Sequence, residues 1–401
     1  MGRTRRSSAI EYKRVALAIV AHEYAHGRQK IKGIIDYYRK HSAWEIHRNE
    51  LSQPFAVPED LVGWDGDGVI CEIYTRDDAD NIGSLTIPCV NTSSSELAIN
   101  FPSVRVDNHQ IGCMAAEHLV ECKLDNFAFV GPINLRHVRE RYEGFTRALE
   151  QAGGRCALVN YEPRPPQGLH VSEELVDPVK LMDTLESLDL PVGIMASSDR
   201  VGFAVLEACS RLGLRSPEDV ALIGVDNDEM YCNLAHSSMT SIDPCAREVG
   251  FEAAAMLNTL MNGEKLEKEH ILIPPGRIIF RNSTDMTRSE YPEVARALRF
   301  IRNHSNEFID VTNVLDVVPV SRRWLEMKFK DEVGHGIYQE IRRVHVERAK
   351  ELLETTEWPV SRVAKESGFN NTERFEFAFQ KLLGMSATEY RKQGGWNGPS
   401  E

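Results

Sequence analysis

The 401-residue sequence contains no apolar run approaching the roughly 18–20 residues that a membrane helix needs, so no membrane partner is expected. It has no C-x-x-C spacing either. Its eight cysteines (Cys71, Cys89, Cys113, Cys122, Cys156, Cys209, Cys232 and Cys245) are scattered, which argues against a zinc knuckle and against a disulfide framework and leaves buried thiols. A secretory leader is not apparent: MGRTRRSSAIEYKR is basic, but only the short stretch VALAIVA follows, with no small-residue cleavage site. A cytoplasmic protein without a cofactor is therefore expected. Nor is there an excess of basic charge, since 47 Lys and Arg stand against 60 Asp and Glu, a net of −13. Taken over the whole chain, that balance speaks against nucleic acid.

The acidity is not evenly spread. Residues 292–393 carry 17 Lys and Arg against 16 Asp and Glu, a net of +1, and the rest of the chain carries −14. Within 321–330, and again within 341–350, four basic residues face one acid. With 42% hydrophobic and 27% charged residues the composition is that of a globular protein, and the length calls for two or three domains.

From residue 14 to about 281, apolar strand runs such as VALAIV, DGVICEI, FAFVG, VGIMASSD and VALIGVD alternate with amphipathic helical stretches such as HGRQKIKGIIDYYRKH and VGFAVLEACSRLG. Repeated strand–helix units require parallel sheets covered on both faces, and two such sheets fit this length. This predicts a two-lobed α/β domain over 14–281, preceded by a basic tail over 1–13. The segment RNSTDMTRSEYP turns polar and loses all periodicity, so 282–292 is expected to be a linker. From 293 to 393 apolar residues fall only at helical spacing, which predicts an all-α domain with a short tail over 394–401.

Ligands of open α/β sheets bind beyond the carboxyl ends of the strands. The polar residues there are His22–Tyr24, Asp107–Asn108, Arg139 and Arg141, Ser197–Asp199, and Asp226–Asp228. Carboxylates accept two hydroxyl protons each and guanidinium groups donate a planar fork, so this set suits a polyhydroxylated ligand such as a sugar. An aspartate directly after a strand is also a common helix N-cap. A rival chemistry is offered by His22-Glu23-Tyr24-Ala25-His26, an H-E-x-x-H match of the kind that binds zinc in peptidases. Its place argues against that reading, because the motif needs a helix and here follows directly on the first strand. No catalysis is expected.

The last hundred residues hold an internal repeat at an offset of about 50. VTNVLDVVPVSRRWLEMKFKDEVG pairs Leu325, Phe329 and Gly334 with Phe375, Phe379 and Gly384 of VSRVAKESGFNNTERFEFAFQKLLG. Each copy has a short helix, a turn, an N-cap (Ser321; Asn370 or Asn371) and a second helix, the plan of a helix-turn-helix. A helix over 338–353 would hold the two at fixed separation, so that both second helices enter successive major grooves of double-stranded DNA. Leu325, Phe329, Phe375 and Phe379 should be core. Arg322, Arg323, Glu326 and Met327 in the first copy, and Thr372, Glu373 and Glu376 in the second, are placed to read bases, with Lys328 and Lys330 against phosphates.

This segment resembles the AraC/XylS-type DNA-binding domain, through WLEMKFKDEVG, RVHVERAKELLETTEWPVSRVAKESGF and FAFQKLLGMSATEYR. Upstream, RVDNHQIGCMAAEHL, RERYEGFTRALEQAG, MASSDRVGFAVLEACSRLG and SPEDVALIGVDNDE resemble the LacI-type, periplasmic-binding-protein-like effector domain. Their combination in this order, with GDGVI, LIPPGRII and RNSTD, resembles bacterial regulators of xylose operons. The resemblance implies a DNA-binding transcription activator that works as a homodimer with RNA polymerase and answers to a monosaccharide, D-xylose by analogy. It puts effector contacts at Asp107, Arg141 and Asp226, and adds Asp199, Arg139 and Tyr24. Met327 departs from the arginine common in related domains. Pro319 departs from a common turn glycine, so the first turn must be built differently.

Overall fold

Four to six consecutive buried residues, as in GVIC, VGIMA and VALIGV, form strands that are covered on both faces. The computed structural model describes residues 12–19, 25–41, 44–48, 61, 64–161, 177–286, 291–356 and 358–393. These fall into two units, divided between Met286 and Thr287.

In the first unit the chain opens with β1 (Lys13–Ala18), α1 (Ala25–His41), β2 (Trp44–Arg48), β3 (Gly68–Cys71), α2 (Arg76–Gly83), β4 (Cys89–Asn91) and β5 (Ser103–Val106). It then crosses to a second lobe for α3 (Asn108–Glu121), β6 (Asn126–Val130), α4 (Arg136–Gln151), β7 (Cys156–Val159), α5 (Pro178–Glu186), β8 (Val192–Ala196), α6 (Asp199–Leu212), β9 (Val220–Val225), α7 (Glu229–Leu234) and β10 (Thr240–Ile242). It returns for α8 (Ala246–Met261) and β11 (His270–Ile273), and crosses a third time into β12 (Ile278–Ile279). Two six-stranded sheets result, in the orders β11-β5-β4-β3-β1-β2 and β12-β10-β9-β8-β6-β7. All their pairings are parallel except β10 with β12. That strand returns from the other lobe through Pro274-Pro275-Gly276, so it can only run back along the edge.

Each sheet is sandwiched between two apolar layers. In the first lobe Val15, Ile34, Ile70, Val90 and Leu257 form one side, and Val69, Ile73 and Ile82 the other. In the second, Ile111, Phe129, Phe145 and Ile223 face Val130, Ile194, Val205 and Leu222 across the sheet. The helices nearest the crossovers pack at backbone distance. A Cβ on Gly33 would overlap the Arg247 carbonyl and one on Gly250 the Lys30 carbonyl. In the other lobe Gly112 meets the Arg141 carbonyl in the same way, and Gly144 that of His109. Lys30 and Arg141 each lie three residues before the glycine of their own helix, so the two lobes present a basic side chain at matching places.

The expected linker begins later than the polar composition suggests. Ser283 and Thr284 are buried in the second lobe, where Ser283 Oγ donates to the Leu222 carbonyl at 2.6 Å and accepts from Thr240 N at 2.8 Å. Thr284 Oγ1 lies 2.8 Å from His118 Nε2 and from Thr240 Oγ1. The run is polar because its hydroxyls satisfy backbone groups and side chains inside the lobe. All eight cysteines remain thiols among the described residues, but only Cys71, Cys89, Cys209 and Cys232 are buried; the other four are half-buried.

The second unit contains α9 (Pro292–Asn303), α10 (Val311–Val317), α11 (Arg322–Val333), α12 (Ile337–Thr355), α13 (Val360–Glu366), α14 (Thr372–Leu383) and α15 (Ala387–Gln393). It has two cores. Val294, Val314, Leu325, Phe329 and Ile341 build one, and Val346, Leu353, Val363, Phe375 and Phe379 the other, so α12 contributes to both.

Candidate functional site

Between the two lobes of the first unit lies a narrow cleft that opens to solvent. Its first wall is built by His26 and Lys30 of α1, Tyr74 beyond β3, and Thr92, Ser93 and Ser94 beyond β4. Opposite stand His137 and Arg141 of α4 and Asp226 beyond β9, with Asn108, Pro244 and Ala246 at the crossovers. The carboxyl ends of parallel strands therefore supply the cleft, as their open loops require.

Arg141 is buried, donating from Nε to Asn108 Oδ1 at 3.0 Å and from Nη1 to the Ser197 carbonyl. Both acceptors are neutral, so the guanidinium charge remains available to the cleft. Lys30 is different. Its ammonium lies 2.6 Å from the buried carboxylate of Glu72 and donates to the Thr92 carbonyl at 2.8 Å. Burial pushes the Glu72 carboxyl up, but Lys30 and then His26, 3.6 Å away, outweigh it and bring it down to about 2. Lys30 is thus neutralised from behind. Among the described residues the cleft presents one free cation, Arg141, one carboxylate, Asp226, the imidazoles of His26 and His137, and a row of hydroxyls and amides, a set whose fixed charges balance and that suits a neutral polyol.

Asp226 sits at φ 110° and Asn227 at φ 47°, conformations that side chains rarely adopt. The loop is held in them by Asp199 from below, which accepts from Asp228 N at 2.7 Å and Ser241 Oγ at 2.6 Å. Asp199 is fully buried and lies outside the cleft lining. Burial, and next the charge of Asp226, push its carboxyl well above the usual carboxylate range. Its place is to position Asp226 rather than to meet a ligand. Asp107 also stands apart from the lining: it caps α3, accepting from Gln110 N at 3.0 Å, and its neighbour Asn108 faces the cleft. Arg139 pairs across the mouth with Glu96, one of three ion pairs that join the lobes among the described residues, with Arg105–Glu140 at 3.2 Å and Arg28–Asp228 at 3.7 Å. Tyr24, and His22 and Glu23 of the H-E-x-x-H match, lie outside the described residues. His26 is the second residue of α1 and turns to Glu72. Among the described residues no group of three or more His, Cys, Asp or Glu is arranged for a metal ion.

Asn108 was among the polar residues expected beyond the strand ends, whereas Lys30, Tyr74, Thr92–Ser94 and His137 were not singled out by sequence reasoning. For the hydroxyls a signal existed, since the run TSSS directly follows β4.

In the second unit the two helix-turn-helix copies are built alike. Ser321 accepts from Trp324 N at 3.3 Å and Asn371 from Arg374 N at 2.8 Å, and both second helices end on left-handed glycines, Gly334 and Gly384. The turns differ. Pro319 centres a tight turn in which Val320 N donates to the Val318 carbonyl at 2.8 Å, which its fixed φ allows. Gly368 in the other turn has φ +80°, and a Cβ there would stand 2.6 Å from His345 Nε2 and from the Glu307 carbonyl.

On α11, Arg322, Arg323, Glu326, Met327 and Lys330 are exposed, with Arg322 and Glu326 paired at 2.8 Å. Lys328 is not on that face. It folds onto Tyr291, 2.7 Å from its hydroxyl and 4.3 Å from its ring centre, because it lies on the flank turned to α9. On α14, Glu373 is exposed, Thr372 is half-buried, and Glu376 accepts from Ala387 N at 3.3 Å at the start of α15. The outward face also carries Arg374, Phe377, Gln380 and Lys381.

A two-lobed polar cleft and a pair of helix-turn-helix units on one chain define a sugar-responsive, DNA-binding transcription regulator. Residues 116–284 match the periplasmic binding protein-like domain and residues 315–393 a helix-turn-helix domain. The chain is 30% identical over 377 residues to the xylose operon regulatory protein of Escherichia coli K12, spanning 92% of this chain and 94% of that one. Its identity to the protein of that name from Haemophilus influenzae is 30% over 390 residues, 95% and 98% of the two chains. The solved structure of the xylose-binding transcription activator xylR superimposes with a TM-score of 0.58 at 28% identity, covering 96% of this chain and 98% of that one. The chain belongs to the family of xylose operon regulatory proteins.

Proposed function

We propose that this protein activates sugar-catabolism genes in the cytoplasm, as a homodimer that contacts RNA polymerase, and that D-xylose bound between the lobes of its first unit is the signal. The observation that carries the reading is the charge-balanced cleft, with Arg141 and Asp226 on one wall and Lys30 silenced by Glu72 on the other. An anionic effector would leave Asp226 repelled, and a cationic one would meet Arg141. Asn108, Tyr74 and the hydroxyls of Thr92–Ser94 complete the contacts, and Asp199 holds Asp226 in place. The xylose-binding relative that overlays the whole chain supports a pentose. No helix among the described residues is long and apolar enough to cross a membrane, in keeping with a protein that meets DNA. Arg322, Arg323, Glu326, Met327, Thr372, Glu373 and Glu376 are assigned to base edges and Lys330 to phosphate, while Lys328 acts mainly by fixing α11 to α9.

A thermal-shift panel of D-xylose, L-arabinose, D-ribose and D-glucose tests the effector, because a ligand that binds only the folded state raises the melting temperature. D-xylose should give the largest rise. A larger rise with another sugar would reassign the signal, and no rise with any of them would remove the sugar reading.

A further inference from the structure

The two reading helices share a feature outside both cores. By the repeat offset of about 50 residues, Met327 corresponds to Phe377, just as Leu325 does to Phe375. Each follows its core residue by two positions, or roughly 200° around a helix, which puts it in the middle of the outward face. Met327 is 50% exposed and Phe377 66%, whereas Leu325, Phe329, Phe375 and Phe379 are fully buried. A single exposed apolar side chain is ordinary. Two at equivalent centres of the reading faces are not, and neither adds to the packing of its own half. Their surroundings are polar and of mixed charge: Arg322, Arg323, Glu326, Lys330 and Asp331 around Met327, and Glu373, Arg374, Glu376, Gln380 and Lys381 around Phe377. Arg342 of α12 lies 5.5 Å from the centre of the Phe377 ring and braces it from one side.

We propose that Met327 and Phe377 are specificity-determining residues that read the C5-methyl groups of thymines in two successive major grooves. The thymine methyl is the one apolar group on the major-groove edges of the base pairs, so it is the partner that an apolar side chain at the centre of a reading helix selects. Lys330, Arg374 and Lys381 then meet phosphates, while Arg322 and Arg323 keep the base edges assigned to them above. A phenyl ring offers a rigid face and the methionine thioether an adaptable one, so the second motif discriminates more sharply than the first. The inference rests on the DNA-reading function proposed above, and its test separates the two.

The full-length protein, with and without D-xylose, is used to select duplexes from a random-sequence pool. In a selected duplex each thymine is then replaced singly by deoxyuridine, which removes one methyl group and nothing else. Wild-type binding should weaken about fourfold at one or more thymines in each half of the site, the value of losing one buried methyl-sized group. Phe377→Ala, shown to be folded by its melting curve, should bind thymine and uracil duplexes equally at the positions read by Phe377. Phe377→Leu should keep part of the discrimination. Equal wild-type binding to every uracil duplex would overturn the inference and leave DNA reading standing. No enrichment of any sequence would overturn the DNA reading itself. A Phe377→Ala protein that discriminates like wild type but fails to activate transcription would assign the ring to a protein partner instead.

Discussion

Arg141 and Lys30 show how one charge type takes two roles in the same cleft. Both are buried at matching places in the two lobes, but Lys30 spends its charge on Glu72 and Arg141 keeps its own for the cleft. An Arg141→Lys substitution should therefore be far from conservative, since an ammonium cannot span Asn108 Oδ1 and the Ser197 carbonyl while also facing the ligand. The expected cost is about 2 kcal/mol of effector binding, roughly 30-fold in Kd, read by titration calorimetry. Unchanged affinity would place Arg141 outside the ligand contacts. Lys30 also marks where the sequence is hard to read. In HGRQKIKGII it looks like any lysine on a helix surface, and only the fold reveals that Glu72, 42 residues away, lies beneath it. Asp199 misleads in the opposite way, because an acid after a strand can brace a loop from within as readily as face a ligand.

At the scale of elements, the turn between α13 and α14 is tied to the first half of the second unit through His345. This side chain is buried on α12, packs edge-on against Phe369 at 5.5 Å, and leaves room only for a glycine at 368. Burial pushes the imidazole down to about 4, against weaker opposing hydrogen bonds to the backbone of His304 and Glu307. A depressed folded value means that the unfolded chain takes up the proton first as pH falls. His345 therefore costs nothing above pH 6.5, and stability is lost as pH drops from about 6.5 to about 4, by about 3 kcal/mol. Glu72 acts lower: its carboxyl is depressed from 4.5 to about 2, so its stabilisation is complete above pH 4.5 and is lost as pH falls towards 2. On acidification, amide hydrogen exchange in the full chain should rise over 337–393 before it rises around β1, β3 and α1, and His345→Gln should flatten the earlier change. Loosening of the first unit before the second would contradict this order. The elements themselves were largely legible, because strands buried on both faces read as unbroken apolar runs and helices as a 3.6-residue period. The segment 281–286 was not, since hydroxyls that satisfy buried carbonyls have the same composition as hydroxyls in a solvated linker.

For the whole molecule, a sensor unit and a reading unit on one chain amount to a switch only if the sugar has a different affinity for the two DNA-binding states. The pieces of such a switch are present in the first unit. Three chain crossovers join its lobes, ion pairs bridge its mouth, and Arg281, which donates to Asn227 Oδ1 at 2.7 Å and to the Met239 carbonyl at 2.9 Å, links the strained cleft loop to the segment leading to the second unit. The nearly neutral second unit has little bulk charge to hold DNA non-specifically, so its outward side chains must decide where it binds. The most direct measurement is the affinity of the full-length protein for a selected duplex, by fluorescence anisotropy, with and without D-xylose, for wild type and Asp226→Ala. D-xylose should tighten wild-type binding roughly 5- to 150-fold, the usual range of allosteric coupling. Asp226→Ala should bind the same duplex with the sugar-free affinity whether or not D-xylose is present. Wild-type binding that is indifferent to the sugar, or an Asp226→Ala protein that still responds to it, would contradict the account.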